Sequence, residues 1–457
     1  MTSGIGDSEK AMRAQDRLIG ADRLRYGEAS CLVGRIPHYT VTMRHRERRF
    51  ILLAVVVASM MMMLLLPIYR PVATPFNGIP AYYEGMCNEE TLNISGVGNL
   101  SRLGDMLFHH NTEGLVPQNK SFTILIWKLG KFLERRMLKR FTSDIHDPFE
   151  GCSVSNCKLS YKDEDLDTAD AVLFHLHQLK GDSMLPPRKP RPPHQRWVFL
   201  SDESPYNTFW YKKNNKWEMY DGLFNWSMTY RMDSDVPVPY GRTIPLDPEE
   251  QRQIYMTLPH NYAKDKTALV AVMGSNCGGR NGRWDYIHEL QKHVRVDVYG
   301  RCGNLNCPGH FTKECSALSK YKFYLAFENS NCRDYVTEKA WWNAYHYGAV
   351  PVIMGISQED SKRLLPPKSY IHASEFASPA DLARFLQYLD KSHSEYNAYF
   401  EWKKCFKVLN EHGYFQTPVF HYCRLCEALN YNDPSPKVYN KLQDFWSDKY
   451  CYDKYWS

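Results

Sequence analysis

Phe50 to Ile68 reads FILLAVVVASMMMMLLLPI, nineteen residues without a charge, directly preceded by Arg44, Arg46, Arg48 and Arg49. A run of that length fits a hydrocarbon core of about 30 Å at about 1.5 Å rise per residue, and flanking arginines hold the preceding segment in the cytosol. The sequence therefore predicts a cytosolic tail over 1–49, one transmembrane signal anchor over 50–68, and a remainder beyond the membrane. A cleaved signal peptide seldom carries so long a leader, and a soluble core helix would be amphipathic. The tail holds ten of the 57 Lys and Arg and six of the 51 acids, so four of the six net positive charges precede the span. The charge left beyond it is too mild for a basic stripe, and no nucleic-acid partner is expected.

Cysteine usage points the same way. Of thirteen cysteines only Cys31 precedes the span, and the even number that follow suits disulfides in an oxidising compartment. Cys423 and Cys426 are expected to be oxidised, with pairing to each other one of the open connectivities. Zinc is the competing use of this C-x-x-C, but no second Cys pair or His pair stands at ligand spacing nearby. Asn-x-Ser acceptors for glycosylation occur at Asn93, Asn99, Asn119 and Asn225, all beyond the span.

At 457 residues the chain is about three times an ordinary domain, and its 14% aromatic and 43% hydrophobic content excludes a largely disordered protein. Residues 69–120, rich in Gly, Pro, Asn and Ser, read as a stem. From Phe122, FTILIWK reads as a buried strand and GKFLERRMLKRF as a helix. ADAVLFHL (169–176) and RWVFL (196–200) are further strands, separated by the exposed PPRKPRPP loop. After the PLDPEE turn the alternation restarts with ALVAVMGSN (268–276), VRVDVYG (294–300) and YKFYLAFEN (321–329). A helix from about Tyr335 to Tyr347 and the strand AVPVIMG (349–355) follow. The pattern predicts two α/β halves with parallel sheets, over 121–250 and 251–430, with a tail over 431–457 packing back on them. Ligands of such sheets bind beyond the carboxyl ends of the strands, which here are DESP, GSN, YGRCG, ENSNCRDYVTEK and MG.

FYLAFENSNCRDYVTEKAWWNAYHYGAVPVIMG (323–355) resembles the donor-binding signature of the α1,3-fucosyltransferases, glycosyltransferase family 10. DESP with FNWSMTYRMDSDVPVPYG (224–241) resembles the acceptor-side motif of that family, and SNCGGRNGRWDYIHELQ (275–291) the stretch supplying a phosphate-binding arginine. The likeness covers roughly residues 120–430, and SNCGGRNGR, VDVYGRCGN and CRLC look most like the invertebrate and plant core-type glycoprotein 3-α-L-fucosyltransferases. The resemblance implies a GT-B fold of two Rossmann-like domains facing a cleft, the acceptor-side one over 121–250 and the GDP-fucose-binding one over 251–430, anchored by the N-terminal transmembrane helix as a single-pass type II glycoprotein of the Golgi membrane. It implies GDP-fucose as donor and an N-glycan or glycoprotein acceptor, with the innermost N-acetylglucosamine of the N-glycan core favoured over terminal N-acetyllactosamine or LacdiNAc. It places the nucleotide contacts at Arg283, with Arg280 second, and at Asn329, Tyr335, Glu338 and Lys339, and the catalytic base at Glu203.

Residue chemistry supports those roles. A diphosphate leaving C1 of a sugar gains negative charge, which Arg283 and Lys339 are suited to meet, Arg by bridging two oxygens and Lys as a point charge. Glu338 suits ribose hydroxyls, while Asn329 and Tyr335 offer neutral polar contacts. Inverting transfer needs a carboxylate to take the acceptor hydroxyl's proton, and Glu203 follows a strand, with Asp202 as its near rival. Taken alone, the Glu338-Lys339 pair would read as a solvated helix face and Glu203 as a solvated loop residue. The DSD triplet at 233–235 resembles a metal-binding DxD but falls in the acceptor-side half. No essential metal or cofactor is expected, although some stimulation by Mn²⁺ is compatible with the sequence. The seventeen His show no spaced cluster. A non-catalytic, lectin-like lumenal protein is the alternative, and intact Glu203, Arg283 and Lys339 argue against it.

Overall fold

The computed structural model describes residues 100–129, 147–209, 216–257, 260–279, 281–307, 313–414, 417 and 419–452. The predicted span at 50–68, Asn93, Asn99, Arg280 and the predicted helix at 130–141 lie outside them. Among the described residues, no helix is long and apolar enough to cross a membrane.

In chain order the strands are β1 (Phe122–Ile126), β2 (Cys157–Ser160), β3 (Ala171–His175), β4 (Arg196–Ser201), β5 (Trp226–Thr229), β6 (Val236–Pro237), β7 (Gly241–Pro245) and β8 (Ala268–Met273). They continue with β9 (Val296–Tyr299), β10 (Tyr321–Phe327), β11 (Asn331–Cys332), β12 (Val350–Met354), β13 (Ile371–His372), β14 (Phe406–Asn410) and β15 (Cys451–Tyr452). One sheet runs β2-β1-β3-β4-β5-β6 and a second runs β13-β12-β10-β8-β9. Every pairing within both sheets is parallel. Both have the doubly wound, flavodoxin-like order, which reverses between β1 and β3 in one half and between β8 and β10 in the other. All-parallel sheets are covered on both faces, which explains why β3 (AVLFH) and β10 (YKFYLAF) are buried at every residue instead of alternating.

The segment expected to be stem is folded from residue 100 onward. Ser101 caps the helix Arg102–Phe108 through Gly104 N, and Leu103, Leu107 and Phe108 are buried. They join the apolar cluster of β1, β3 and β4, because a Leu-x-x-x-Leu-Phe spacing puts all three on one face. The expected boundary at 430 also moves. The helix His421–Tyr431 buries Tyr422, Leu425, Ala428 and Leu429 in that same first-half cluster, so the chain returns before the predicted tail begins. Antiparallel pairing of β14 with β7 carries it across. Within this return Arg242 and Arg424 clasp the buried Glu411.

Disulfides fix the return. Cys423 and Cys426 are both oxidised as expected, but to Cys152 and Cys157 rather than to each other. Three residues apart on a helix they share one face, which here presents both to the first-half strands. Cys277–Cys302, Cys307–Cys315 and Cys332–Cys451 are also bridged, and Cys405 is disulfide-bonded. The Asn225 acceptor motif is corrected by its surroundings. Asn225 is buried, its Oδ1 accepts from Trp197 N at 2.8 Å, and its Nδ2 donates to Lys437 O at 2.8 Å.

Candidate active site

Glu203, Arg283, Asn329, Tyr335, Glu338 and Lys339 all line one cleft of about 420 Å³ between the two sheets' carboxyl ends. His177, Asn207, Tyr240 and Tyr414 also line it on one side, and Ser275, Asn276 and Arg301 are among the residues that line it on the other. The halves touch directly beside it, where Ser204 Oγ meets Ser330 Oγ at 2.7 Å and Asn207 Nδ2 donates to the same hydroxyl at 3.1 Å.

Glu203 stands just past β4. Its Oε2 accepts from Tyr335 Oη at 3.3 Å and from Asn329 Nδ2 at 3.4 Å, both long contacts from the opposite half. Burial pushes its carboxyl above the ordinary range, the neighbouring Asp202 adds to this, and His177 and Lys339 oppose it. A carboxylate held this way is a better proton acceptor than a solvated one. Asp202 points elsewhere. It is 2% exposed, packed against His175 and His412, and its backbone carbonyl accepts from Tyr240 Oη at 2.6 Å. His175, His412 and His421 thus converge behind the cleft although no sequence spacing announced it. Among the described residues no group of three or more His, Cys, Asp and Glu is arranged to hold a metal.

The second half supplies a compact charge cluster. Glu328, at the end of β10, accepts from Thr337 N and Thr337 Oγ1, each at 2.8 Å, and from Lys339 Nζ at 2.8 Å. Lys339 Nζ also lies 3.3 Å from Glu338 Oε1. Burial alone would depress the Lys339 ammonium, but Glu328 and Glu338 outweigh it and hold the pKa above its ordinary value. Burial raises the Glu328 carboxyl, opposed by Lys339. The predicted helix at 335–347 begins three residues later, at Glu338, and most of it, Trp341–His346, is a π-helical turn. Residues 335–337 are instead the loop that folds over Glu328. A π-turn of this kind commonly accompanies a functional site.

Arg283 opens the helix Arg283–Gln291 behind Gly282, whose φ of 69° suits glycine. Its Nη1 donates to Phe327 O at 3.0 Å and its Nη2 to Asn276 O at 2.8 Å, so it ties the loop after β8 to the end of β10. Burial lowers its pKa, an effect that nearby Glu328 counters. Its Nε–H has no acceptor among the described residues.

The DSD carboxylates are engaged elsewhere. Asp233 is bridged by Arg231 and Arg333, while Asp235 accepts from Ser227 N at 2.8 Å and Tyr439 Oη at 2.7 Å and pairs with Lys437 at 2.6 Å. Sequence reading missed Glu328, His177 and Arg301. Glu328 lay inside the FENS motif and Arg301 inside the flagged YGRCG loop, so only their partners were hidden.

Residues 119–241 match the family profile described as "Fucosyltransferase, N-terminal", and residues 263–446 match "Glycosyltransferase family 10 (fucosyltransferase) C-term". The chain is 36% identical over 346 residues to glycoprotein 3-alpha-L-fucosyltransferase A of Drosophila melanogaster, covering 75% of this chain and 63% of that protein. It is 41% identical over 313 residues to human 4-galactosyl-N-acetylglucosaminide 3-alpha-L-fucosyltransferase FUT5, covering 68% of this chain and 76% of that one. The corresponding FUT6 of Pan troglodytes is 41% identical over 277 residues, 60% of this chain and 72% of that one. Two successive domain matches, and long relatives at this identity, leave one conclusion: the chain belongs to glycosyltransferase family 10, the fucosyltransferases.

Proposed function

We propose that the chain is an inverting α1,3-fucosyltransferase that moves L-fucose from GDP-fucose to an N-acetylglucosamine of a glycoprotein glycan. The observation that carries the reading is the convergence of Glu203 from the first half with Arg283, Asn329, Tyr335, Glu338 and Lys339 from the second around one cleft. In this mechanism Glu203 takes the acceptor hydroxyl's proton as that oxygen attacks C1 of fucose from the face opposite the diphosphate. Oε1 is the accepting atom, since the donors Asn329 and Tyr335 both address Oε2. Lys339 and Arg283 meet the charge that grows on the departing diphosphate, and Glu338 accepts from ribose hydroxyls. Glu328 holds Lys339 in place from beneath. No essential metal enters this scheme, because the DSD carboxylates are already paired with Arg231, Arg333 and Lys437.

The acceptor we favour is the innermost N-acetylglucosamine of the N-glycan core, in keeping with the similarity to the Drosophila glycoprotein enzyme over 75% of the chain. Terminal N-acetyllactosamine or LacdiNAc is the second reading, favoured by the 41% identity to human FUT5. For location we propose a single-pass type II Golgi protein anchored by residues 50–68. Its support is the uncharged run behind Arg44 to Arg49 and the bridged cysteines beyond it. The detergent-solubilised full chain, given GDP-fucose and each acceptor type in turn, tests the proposal by mass-spectrometric mapping of the product. Core α1,3-fucosylated product is expected. Product only on terminal acceptors would select the second reading, and no turnover on either would favour a lectin-like protein.

A further inference from the structure

The cleft's cations are unequally free to meet an anion. Lys339 is surrounded by Glu328, Glu338 and Thr337, and Arg283 spends Nη1 and Nη2 on backbone carbonyls. Two carboxyls, the buried Glu328 and the partly exposed Glu338, beside two cations leave that cluster nearly neutral, whereas a nucleoside diphosphate brings at least two negative charges. Arg301 is the third lining cation. It is exposed, and among the described residues no carboxylate pairs with it.

Its position is built, not incidental. Arg301 follows β9 at the carboxyl edge of the sheet, beside the order reversal of β8 and β10. Gly300 turns the chain with a φ of 87°, and a Cβ there would stand 2.7 Å from Gly274 O, so only glycine permits this approach of the two loops. Gly274 N donates to Tyr299 O at 2.9 Å and Cys302 N to Gly274 O at 3.0 Å. The Cys277–Cys302 disulfide closes the same pair of loops covalently. Arg301 Nε donates to Ser275 O at 2.8 Å, which aims the rest of the guanidinium along the cleft wall. A cation fixed before the ligand arrives pays no ordering cost when it binds.

We propose that Arg301 is a further diphosphate-binding residue, a guanidinium at the cleft mouth that supplies the positive charge the inner cluster cannot. The inference rests on the GDP-fucose reading above. During transfer the C1–O bond to the phosphate breaks and its electron pair goes to that oxygen. The acceptor oxygen bonds to C1, its proton passes to Glu203, and Arg301 meets the charge left on GDP. Arg301 therefore acts on both donor affinity and the chemical step.

The test uses the full chain with Arg301→Gln, Arg301→Lys and, as a control for simple charge loss, Arg295→Gln, an exposed arginine paired with Asp297 outside the cleft. Affinity for GDP is measured by calorimetry, and pyrophosphate is measured as a competitor of GDP. Loss of a charged hydrogen-bonding group predicts GDP binding weaker by about 10- to 100-fold in Arg301→Gln, with pyrophosphate weakened by a similar factor. Arg301→Lys should recover part of the loss, Arg295→Gln should match wild type, and kcat of Arg301→Gln should fall while KM for GDP-fucose rises. GDP affinity within about threefold of wild type in Arg301→Gln would overturn the inference, on the low side of that range. So would a loss confined to GDP with pyrophosphate unchanged, which would mean that Arg301 reads the nucleobase. A wild-type chain that binds no GDP is a different failure, that of the donor reading itself.

Discussion

Glu328→Gln isolates the charge beneath Lys339 while leaving its geometry nearly intact. Glu328 is 3% exposed and its Oε2 lies 2.8 Å from Lys339 Nζ. At an effective dielectric of ~20 that separation corresponds to ~6 kcal/mol of Coulomb attraction. Most of it does not appear as stability, because burying the carboxylate costs several kcal/mol, and breaking one side of such a pair typically costs ~3–5 kcal/mol net. Glu338, 3.3 Å from the same ammonium, remains to offset part of the loss, and the amide oxygen of Gln can still accept from Thr337 N. The low end, ~3 kcal/mol, is therefore expected, or, for a fold of this size, a melting point lower by about 4–5 °C. The loop 335–337 that folds over Glu328 carries Tyr335 into the cleft, so kcat/KM should also fall, by about 10- to 100-fold, as the cation behind the phosphates loses its anchor. Differential scanning fluorimetry and a GDP-fucose transfer assay on the same preparation read both quantities. A melting point within about 2 °C of wild type together with kcat/KM within about threefold would refute the reasoning, since neither stability nor site geometry would depend on the pair.

Glu203→Gln keeps the size and the oxygen that accepts from Tyr335, but cannot take a proton. Transfer should drop by about 10²- to 10⁴-fold with GDP-fucose affinity nearly unchanged, and retention of more than about a tenth of the rate would remove Glu203 as the base. Lys339→Ala and Arg283→Ala should each cost about 2–4 kcal/mol in transition-state stabilisation by kcat/KM. Arg283→Ala should in addition lower the melting point, because it unties Phe327 O from Asn276 O, and an unchanged melting point would contradict that bridging role. The pH profile follows from the direction of the Glu203 shift. A base acts deprotonated, so kcat/KM should rise with pH through a midpoint above the ordinary ~4.3 of glutamate and then level off, and a midpoint at or below that value would contradict the buried setting. Peptide mapping without reduction should recover Cys152 with Cys423 and Cys157 with Cys426, and a Cys423–Cys426 pair would sink the present account of the C-terminal return.

Strands were the legible part of this fold. FTILI, RWVFL, YKFYLAF and VPVIM are runs dominated by apolar residues because parallel sheets bury both faces, and each becomes a strand where the run predicts one. Short or polar elements escaped. β2 is CKLS, an edge strand of four residues with one buried position, and nothing in four such letters separates it from a loop. The helix expected from Tyr335 was misjudged because apolar residues at 335, 336 and 340 to 342 suit a helical face. Tyr335 and Val336 are instead buried by a loop whose path Glu328 sets, with its hydrogen bonds to Thr337. Local periodicity carries no record of a carboxylate arriving from another strand.

The cleft was legible to a different degree. The six residues chosen from motif and from position just past strand ends share one cavity. What they do there depends on partners that sequence order hides. Arg283 looked like an unencumbered phosphate ligand, yet two of its nitrogens hold the backbone together. Asp202 looked like a close rival of Glu203, yet alternation along an extended segment turns adjacent side chains to opposite sides, and it faces His175 and His412 instead. The same logic bears on Arg301. Its sequence neighbourhood, YGRCG, reads as an ordinary exposed turn, and only the Gly274–Gly300 contact and the Cys277–Cys302 bridge reveal that the turn is fixed against the loop carrying Asn276. A side chain mounted on a covalently stapled turn keeps its place on the cleft wall, and the proposed diphosphate contact of Arg301 rests on that fixed place.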